Sequence, residues 1–160
     1  MKAKFIYENI SDILKPRSEE EIIADLDKLN LEDRQLAFVR ATLFGHINIV
    51  EYLLERGGMA SIDEGLMWAS NGGHISIVKL LLKNGADIHV EDDFPLQRAV
   101  QEGYPDVVEL LLKNGANTKS VTRIPMRLRT KDNYKKIINL LLKYGADPKK
   151  LLSKRNRFKY

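Results

Sequence analysis

The sequence predicts an all-α chain: a solenoid of about four short helix–turn–helix repeats behind N-terminal capping helices. Three observations predict it. A seven-residue motif recurs as Leu81-Leu82-Lys83-Asn84-Gly85-Ala86-Asp87, Leu111-Leu112-Lys113-Asn114-Gly115-Ala116-Asn117 and Leu141-Leu142-Lys143-Tyr144-Gly145-Ala146-Asp147, with its glycines 30 residues apart. A weaker copy, Leu53-Leu54-Glu55-Arg56-Gly57-Gly58, precedes these by 28. A second landmark keeps step: Gly45-His46, Gly73-His74, Gly103-Tyr104 and Asn133-Tyr134, each followed by an apolar pair, Ile49-Val50, Ile77-Val78, Val107-Val108 and Ile137-Ile138. Self-similarity at a fixed period marks a repeat array.

The elements follow in chain order. Phe5, Ile6, Ile10, Ile13 and Leu14 are spaced as a helix over 5–14, stopped by Lys15-Pro16. Ser18, with Glu21 three residues on, is a capping box for a second helix whose apolar face is Ile22, Ile23, Leu26 and Leu29. Residues 1–33 do not match the repeat and read as a cap over the apolar side of the first unit, which an array needs for solubility. The array then runs over 34–148, in units of about 34–57, 58–87, 88–117 and 118–148. In the second unit a short first helix spans 66–71 and Gly72-Gly73 is the turn. Ile77, Val78, Leu81 and Leu82 form one face of the second helix. Asn84-Gly85 ends it, with glycine suited to a left-handed C′ position. A helix pair this short cannot bury its apolar face alone, so neighbouring units must stack. After Pro148, Leu151-Leu152 makes a last turn, and 149–160 is a basic tail.

Charge is segregated along this array. Residues 1–120 hold 13 Lys and Arg against 20 Asp and Glu, net −7, whereas residues 121–160 hold 13 against 2, net +11. An acidic body thus carries a basic end, a pattern of interaction tails. Other classes fall away. No apolar run approaches the roughly 18 residues of a membrane span, and the start lacks the apolar core of a secretory signal. With no cysteine there is no disulfide framework, thiolate metal site or cysteine nucleophile. A cytoplasmic, reducing setting fits.

These motifs resemble the ankyrin-repeat family, whose pattern is T-P-L-H-x-A-A followed by G-H-x-x-I-V-x-x-L-L-x-x-G-A-D. The third unit reads Phe94-Pro95-Leu96-Gln97-Arg98-Ala99, then Gly103-Tyr104, Val107-Val108, Leu111-Leu112 and Gly115-Ala116-Asn117. The second reads Leu66-Met67-Trp68-Ala69, then Gly73-His74, Ile77-Val78, Leu81-Leu82 and Gly85-Ala86-Asp87. The likeness covers about 70% of the chain, roughly 34–148. The family unit is about 33 residues, so the resemblance implies shortened β-hairpin fingers here. Arg129 stands where the family has a small buried alanine, which implies an irregular first helix in the fourth unit and a terminal-cap role for it. The opening Phe5-Ile6-Tyr7-Glu8 with Leu14-Lys15-Pro16-Arg17-Ser18 is similar to short ankyrin proteins of phages and large DNA viruses, which implies a host-cell partner.

The resemblance implies a binding module that engages another protein through a concave groove. The groove candidates are Leu43, Phe44, Asn71, Gln101, Glu102, Lys131 and Asp132, joined by finger residues Ile62, Asp63, Glu91, Asp92, Asp93, Thr122 and Arg123. Each has a plainer reading beside it. Phe44 is either an exposed anchor or covered by the N-terminal helices. Glu91-Asp92-Asp93 is either a solvated loop or an acidic contact for a basic partner. Trp68 is either core or partly exposed at the groove, and His46 and His74 read as packing residues. The alternative function is nucleic-acid or anionic-surface binding through Lys149, Lys150, Lys154, Arg155, Arg157 and Lys159, with Phe158 and Tyr160 to stack on bases; its plain counterpart is a solubilising terminus. The sequence carries no metal-ligand spacing, phosphate loop or acid–base pair. No catalysis, cofactor, metal, membrane partner or small-molecule substrate is expected, and the default state is a monomer.

Overall fold

The computed structural model describes residues 19–56, 62–122, 124 and 132–152. The expected helix over 5–14, the Ser18 cap, most of the irregular first helix of the fourth unit, and residues 153–160 lie outside them.

Among the described residues the chain is helical, with no strand. In order come α1 (Glu19–Leu26), α2 (Leu31–Phe44), α3 (Ile47–Glu55), α4 (Ile62–Gly72), α5 (Ile75–Lys83), α6 (Val90–Glu102), α7 (Pro105–Lys113), a 3-10 turn (Thr118–Ser120), α8 (Asp132–Lys143) and α9 (Pro148–Leu152). Helices α2/α3, α4/α5 and α6/α7 are the hairpins of three successive units. Inner helices α2, α4 and α6 stack on one another, and outer helices α3, α5, α7 and α8 form the second layer.

Each outer helix has the same grammar. Ile77, Val78 and Leu81 are buried in α5, Val107, Val108, Leu111 and Leu112 in α7, and Ile137 and Leu141 in α8. The helices end alike. Ala86 N–H donates to Leu81 O at 3.0 Å and Gly85 N–H to Leu82 O at 3.2 Å, and the same pair of bonds recurs at Gly115-Ala116 and Gly145-Ala146. This is the Schellman closure, with a buried alanine beside the buried leucine it bonds. Gly85, Gly115 and Gly145 have φ of 90°, 101° and 88°, as the sequence motif predicts.

The inner helices are longer than the sequence suggests. α4 begins at Ile62, not at 66. Its Gly65 is buried where a Cβ would lie 2.6 Å from the Phe38 ring, so the missing side chain lets α4 press onto α2. α2 begins at Leu31, capped by Asn30, whose Oδ1 accepts the Asp33 N–H at 2.9 Å. The expected division between cap and array at 33/34 therefore falls inside a helix.

α1 is tied to the first unit by one residue just past its end. Asp27 Oδ1 accepts the Tyr52 hydroxyl at 2.6 Å and lies 3.2 Å from Arg56 Nη1, while Asp27 O accepts from Arg34 at 3.0 Å. The hydrogen bond to Asp27 holds the Tyr52 phenol above its ordinary pKa. Leu26, the residue before it, is fully buried in the core. Asp27→Ala is expected to accelerate amide exchange within α1 while leaving α4 to α7 unchanged, because a stacked array couples mainly nearest neighbours. Faster exchange throughout would show that the cap supports the whole stack.

Two buried hydroxyls, Thr42 and Ser70, sit at equivalent positions of successive inner helices, and the apolar Val100 takes that position in the third. Thr42 donates to Val39 O at 2.7 Å, but Ser70 Oγ is buried with no hydrogen-bond partner. Ser70→Ala is therefore expected to be neutral or to stabilise by up to about 1 kcal/mol, since it removes an unpaired hydroxyl from the interior. Thermal unfolding checks it, and a lowered midpoint would count against that description.

Candidate interaction surface

Two kinds of side chain position the inner face. The first joins one unit's turn to the next. His74 Nε2 lies 2.8 Å from Leu43 O. A carbonyl only accepts, so Nε2 carries the proton. The imidazole is wedged where Cβ atoms on Gly45 and Gly72 would fall 2.6 and 2.5 Å from it. One unit on, the Tyr104 ring occupies the space beside Gly73, 2.7 Å from where a Cβ would be. One further on, Asn133 Nδ2 donates to Gly103 O at 3.0 Å. His74 is thus a packing residue, as its sequence context suggests, while His46 of the first unit is exposed.

The second kind joins the start of α4 and of α6 to the loop that follows its hairpin. Asp63 Oδ1 accepts the Asp87 N–H at 2.7 Å, and Asp93 Oδ1 accepts the Asn117 N–H at 2.9 Å, the same 24-residue reach one repeat later. Asp87, Asn117 and Asp147 in turn accept the N–H two residues on, at 2.8–2.9 Å. These turns stand where the shortened fingers are expected.

Asp93 therefore departs from the expectation of a loop residue facing a partner. It is only 6% exposed and also holds His89 Nδ1 at 2.9 Å. Burying a carboxylate is costly unless it is hydrogen-bonded, and this one spends its oxygen inside the fold. Glu91 and Asp92 remain exposed, but not on a limp loop. Glu91, Asp92 and Asp93 are consecutive left-handed residues, with φ of 48°, 56° and 61°. Such geometry costs about 1–2 kcal/mol per non-glycine residue. Asp93 and a Gln97 Nε2 bond to Asp92 O at 2.9 Å hold it.

The remaining groove candidates fall as follows. Phe44 is 59% exposed at the end of α2, and with Leu31 at 56% it is one of two large exposed apolar residues among those described. Leu43, Asn71 and Gln101 are half-buried, at matching positions one repeat apart on α2, α4 and α6. Glu102 and Ile62 are half-buried, and Asp132 and Thr122 are exposed. Trp68 is half-buried on α4, between the two readings its sequence position allows. Lys131 and Arg123 lie outside the described residues, as do Lys154, Arg155, Arg157 and Lys159. Lys149 and Lys150 are exposed on α9.

The chain matches the family model for ankyrin repeats, three copies, over residues 7–92, 38–123 and 66–151. The chain belongs to the ankyrin-repeat family. No curated protein matches it. Ankyrin repeats serve in general as protein–protein interaction modules, typically without enzymatic activity. In this ankyrin array the inner face carries two residues that a search by residue type passes over. Arg40 and Arg98 flank Trp68, 28 residues before it and 30 after it, on adjacent inner helices. The signal was present in the sequence: carrying the repeat register onto Trp68 lands on both. Among the described residues no helix is long and apolar enough to cross a membrane, and no group of three or more His, Asp or Glu is placed to hold a metal ion.

A cleft of about 320 Å³ lies elsewhere, between outer helices α7 and α8, walled by Asp106 and Glu109 on one side and Lys136 and Lys143 on the other. One acid of that wall is already engaged: Lys113 Nζ sits 2.7 Å from Glu109 and holds that carboxyl below its ordinary pKa.

Proposed function

We propose that this ankyrin-repeat chain is a non-catalytic module that binds a partner protein on the face formed by α2, α4 and α6. The observation that carries the reading is the division of labour within those helices. Ala37, Phe38, Ala41 and Thr42, then Gly65, Leu66, Ala69 and Ser70, then Pro95, Leu96, Ala99 and Val100 are buried. To the partner we assign Phe44, Asn71, Gln101 and Glu102, with Glu91 and Asp92; the reading is supported by the exposure of Phe44, Glu91 and Asp92 and the partial exposure of the other three. An exposed aromatic on a rigid helix end is a suitable anchor, because its desolvation on docking contributes without first ordering a loop. The reading takes the chain as cytoplasmic, needing no cofactor, metal or small-molecule substrate.

The test is affinity capture from the native cell, identification of the captured protein, and remeasurement with purified components. The double variant Phe44→Ala, Glu102→Ala is expected to weaken that complex at least tenfold, while Lys79→Ala on the outer helix α5 leaves it unchanged. Full binding by a folded double variant would remove this face from consideration.

A second reading has its own support. Lys135, Lys136 and Lys143 on α8 and Lys149 and Lys150 on α9 are all exposed, continuing into the basic run that ends at Tyr160. If this end tracks phosphates, oligonucleotide affinity is expected to fall steeply between about 50 and 200 mM salt. It is also expected to drop on deletion of 153–160. Salt-independent or deletion-independent binding defeats it.

A further inference from the structure

Arg40, Trp68 and Arg98 form a row across three stacked inner helices, and all three are half-buried. Trp68 is the chain's only tryptophan. Its indole N–H donates to Glu64 Oε1 at 3.3 Å, so the ring is oriented and its one donor is occupied. Arg98 is oriented too. Its guanidinium lies over the Phe94 ring, 4.7 Å from the centroid, and Nη1 donates to Gln101 Oε1 at 3.3 Å. Both neighbours are neutral. Among the described residues no carboxylate pairs with Arg98, although acidic side chains abound on this face: Glu64 serves Trp68, Glu102 has interactions of its own, and Glu91 and Asp92 stand out at the left-handed turn.

A guanidinium has five N–H donors in a planar fork that matches a carboxylate with two parallel bonds. Phe94 covers one flat side of Arg98 and Gln101 takes one edge donor, so the fork retains donors for a second, bidentate acceptor. Stacking and partial burial have already fixed the side chain, which lowers the ordering cost of using it. One repeat earlier on the adjacent helix, Trp68 offers a large apolar ring whose N–H is spent, and Trp and Arg are among the residue types most enriched where interface energy concentrates.

We propose that Arg98 is the anion receptor of the inner face, and that the partner brings it an acidic peptide segment. A Glu or Asp carboxylate of that segment pairs with the Arg98 fork, and a neighbouring aromatic or large aliphatic side chain of the same segment lies against Trp68. The proposal rests on the inner-face reading above and adds the chemistry of the occupant.

Because there is one tryptophan, its fluorescence reports this site alone. The probes are two blocked peptides, Ala-Asp-Glu-Phe-Asp-Glu-Ala and its counterpart with lysine at each acidic position, titrated to millimolar concentration. The acidic peptide is expected to shift or quench Trp68 emission saturably, and the basic one is not. Arg98→Gln, which stays polar but removes the charge and the guanidinium fork, is expected to weaken the acidic peptide at least tenfold with unchanged circular dichroism. Preference for the basic peptide, response to neither, or equal binding of the acidic peptide by folded Arg98→Gln would overturn the proposal. A captured partner that depends on Phe44 and Glu102 but not on Arg98 would also remove it, while leaving the inner-face reading in place.

Discussion

Alanine at Gly73 is expected to destabilise the protein by about 2–5 kcal/mol. Two costs add. Gly73 has φ of +76°, where an L side chain costs about 1–2 kcal/mol. Its Cβ would also fall 2.7 Å from the Tyr104 ring, which the stacked third unit holds in place; overpacking of this kind costs about 1–3 kcal/mol. Gly85→Ala separates the two. Gly85 has φ of +90° but open space around it, so only the backbone cost of about 1–2 kcal/mol applies. Urea unfolding of both variants measures the difference. Tyr104→Ala in the Gly73→Ala background should recover the steric part and not the backbone part. Equal losses at Gly73 and Gly85 would mean that the Tyr104 wedge contributes nothing.

The second large effect is expected at Asp93. Asp93→Ala leaves the Asn117 N–H without its acceptor, frees His89, and withdraws support from three left-handed residues. A hydrogen bond to a charged group is worth about 1.5–3 kcal/mol, and a loss in that range is expected. Asp93→Asn keeps an acceptor oxygen in place and should lose well under half as much. Asp63→Ala, one repeat earlier, removes the equivalent bond at a half-buried site and should lie between the two. Denaturant midpoints at constant slope test the order. An Asp93→Ala protein as stable as the parent would show that the turn supports itself.

The pairing of a visible motif with an invisible partner recurs throughout this chain. The G-A-D ends of the second helices are legible because a Schellman closure is local: six residues contain its glycine, its carbonyls and its apolar contact. The apolar pairs of the outer helices are legible for the same reason, since helical spacing alone puts Ile77, Val78 and Leu81 on one side. The boundaries of the inner helices were harder. Ile62-Asp63-Glu64-Gly65 reads as a loop until Phe38 from another helix is seen to need the space at Gly65. The triad Glu91-Asp92-Asp93 reads as three equivalent acidic residues, because nothing within it says which one a backbone N–H 24 residues downstream will claim.

The interaction surface divides in the same way. Phe44 could be suspected from its position before Gly45, but its exposure depends on what packs over it. In the sequence Arg98 is one cation among many; its distinction is to lie on Phe94, one repeat from Trp68 on the adjacent helix, with no carboxylate paired to it among the described residues. By itself, the amino-acid order determined the period, the helix ends, the outer-layer core and the membership of a stacked family, since each depends on contacts within one unit. Only the tertiary structure decided which acid is buried, which histidine is spent on a carbonyl and which arginine is left with donors to offer. Those outcomes come from contacts between units, where the neighbour's side chains consume some polar groups and leave others facing water.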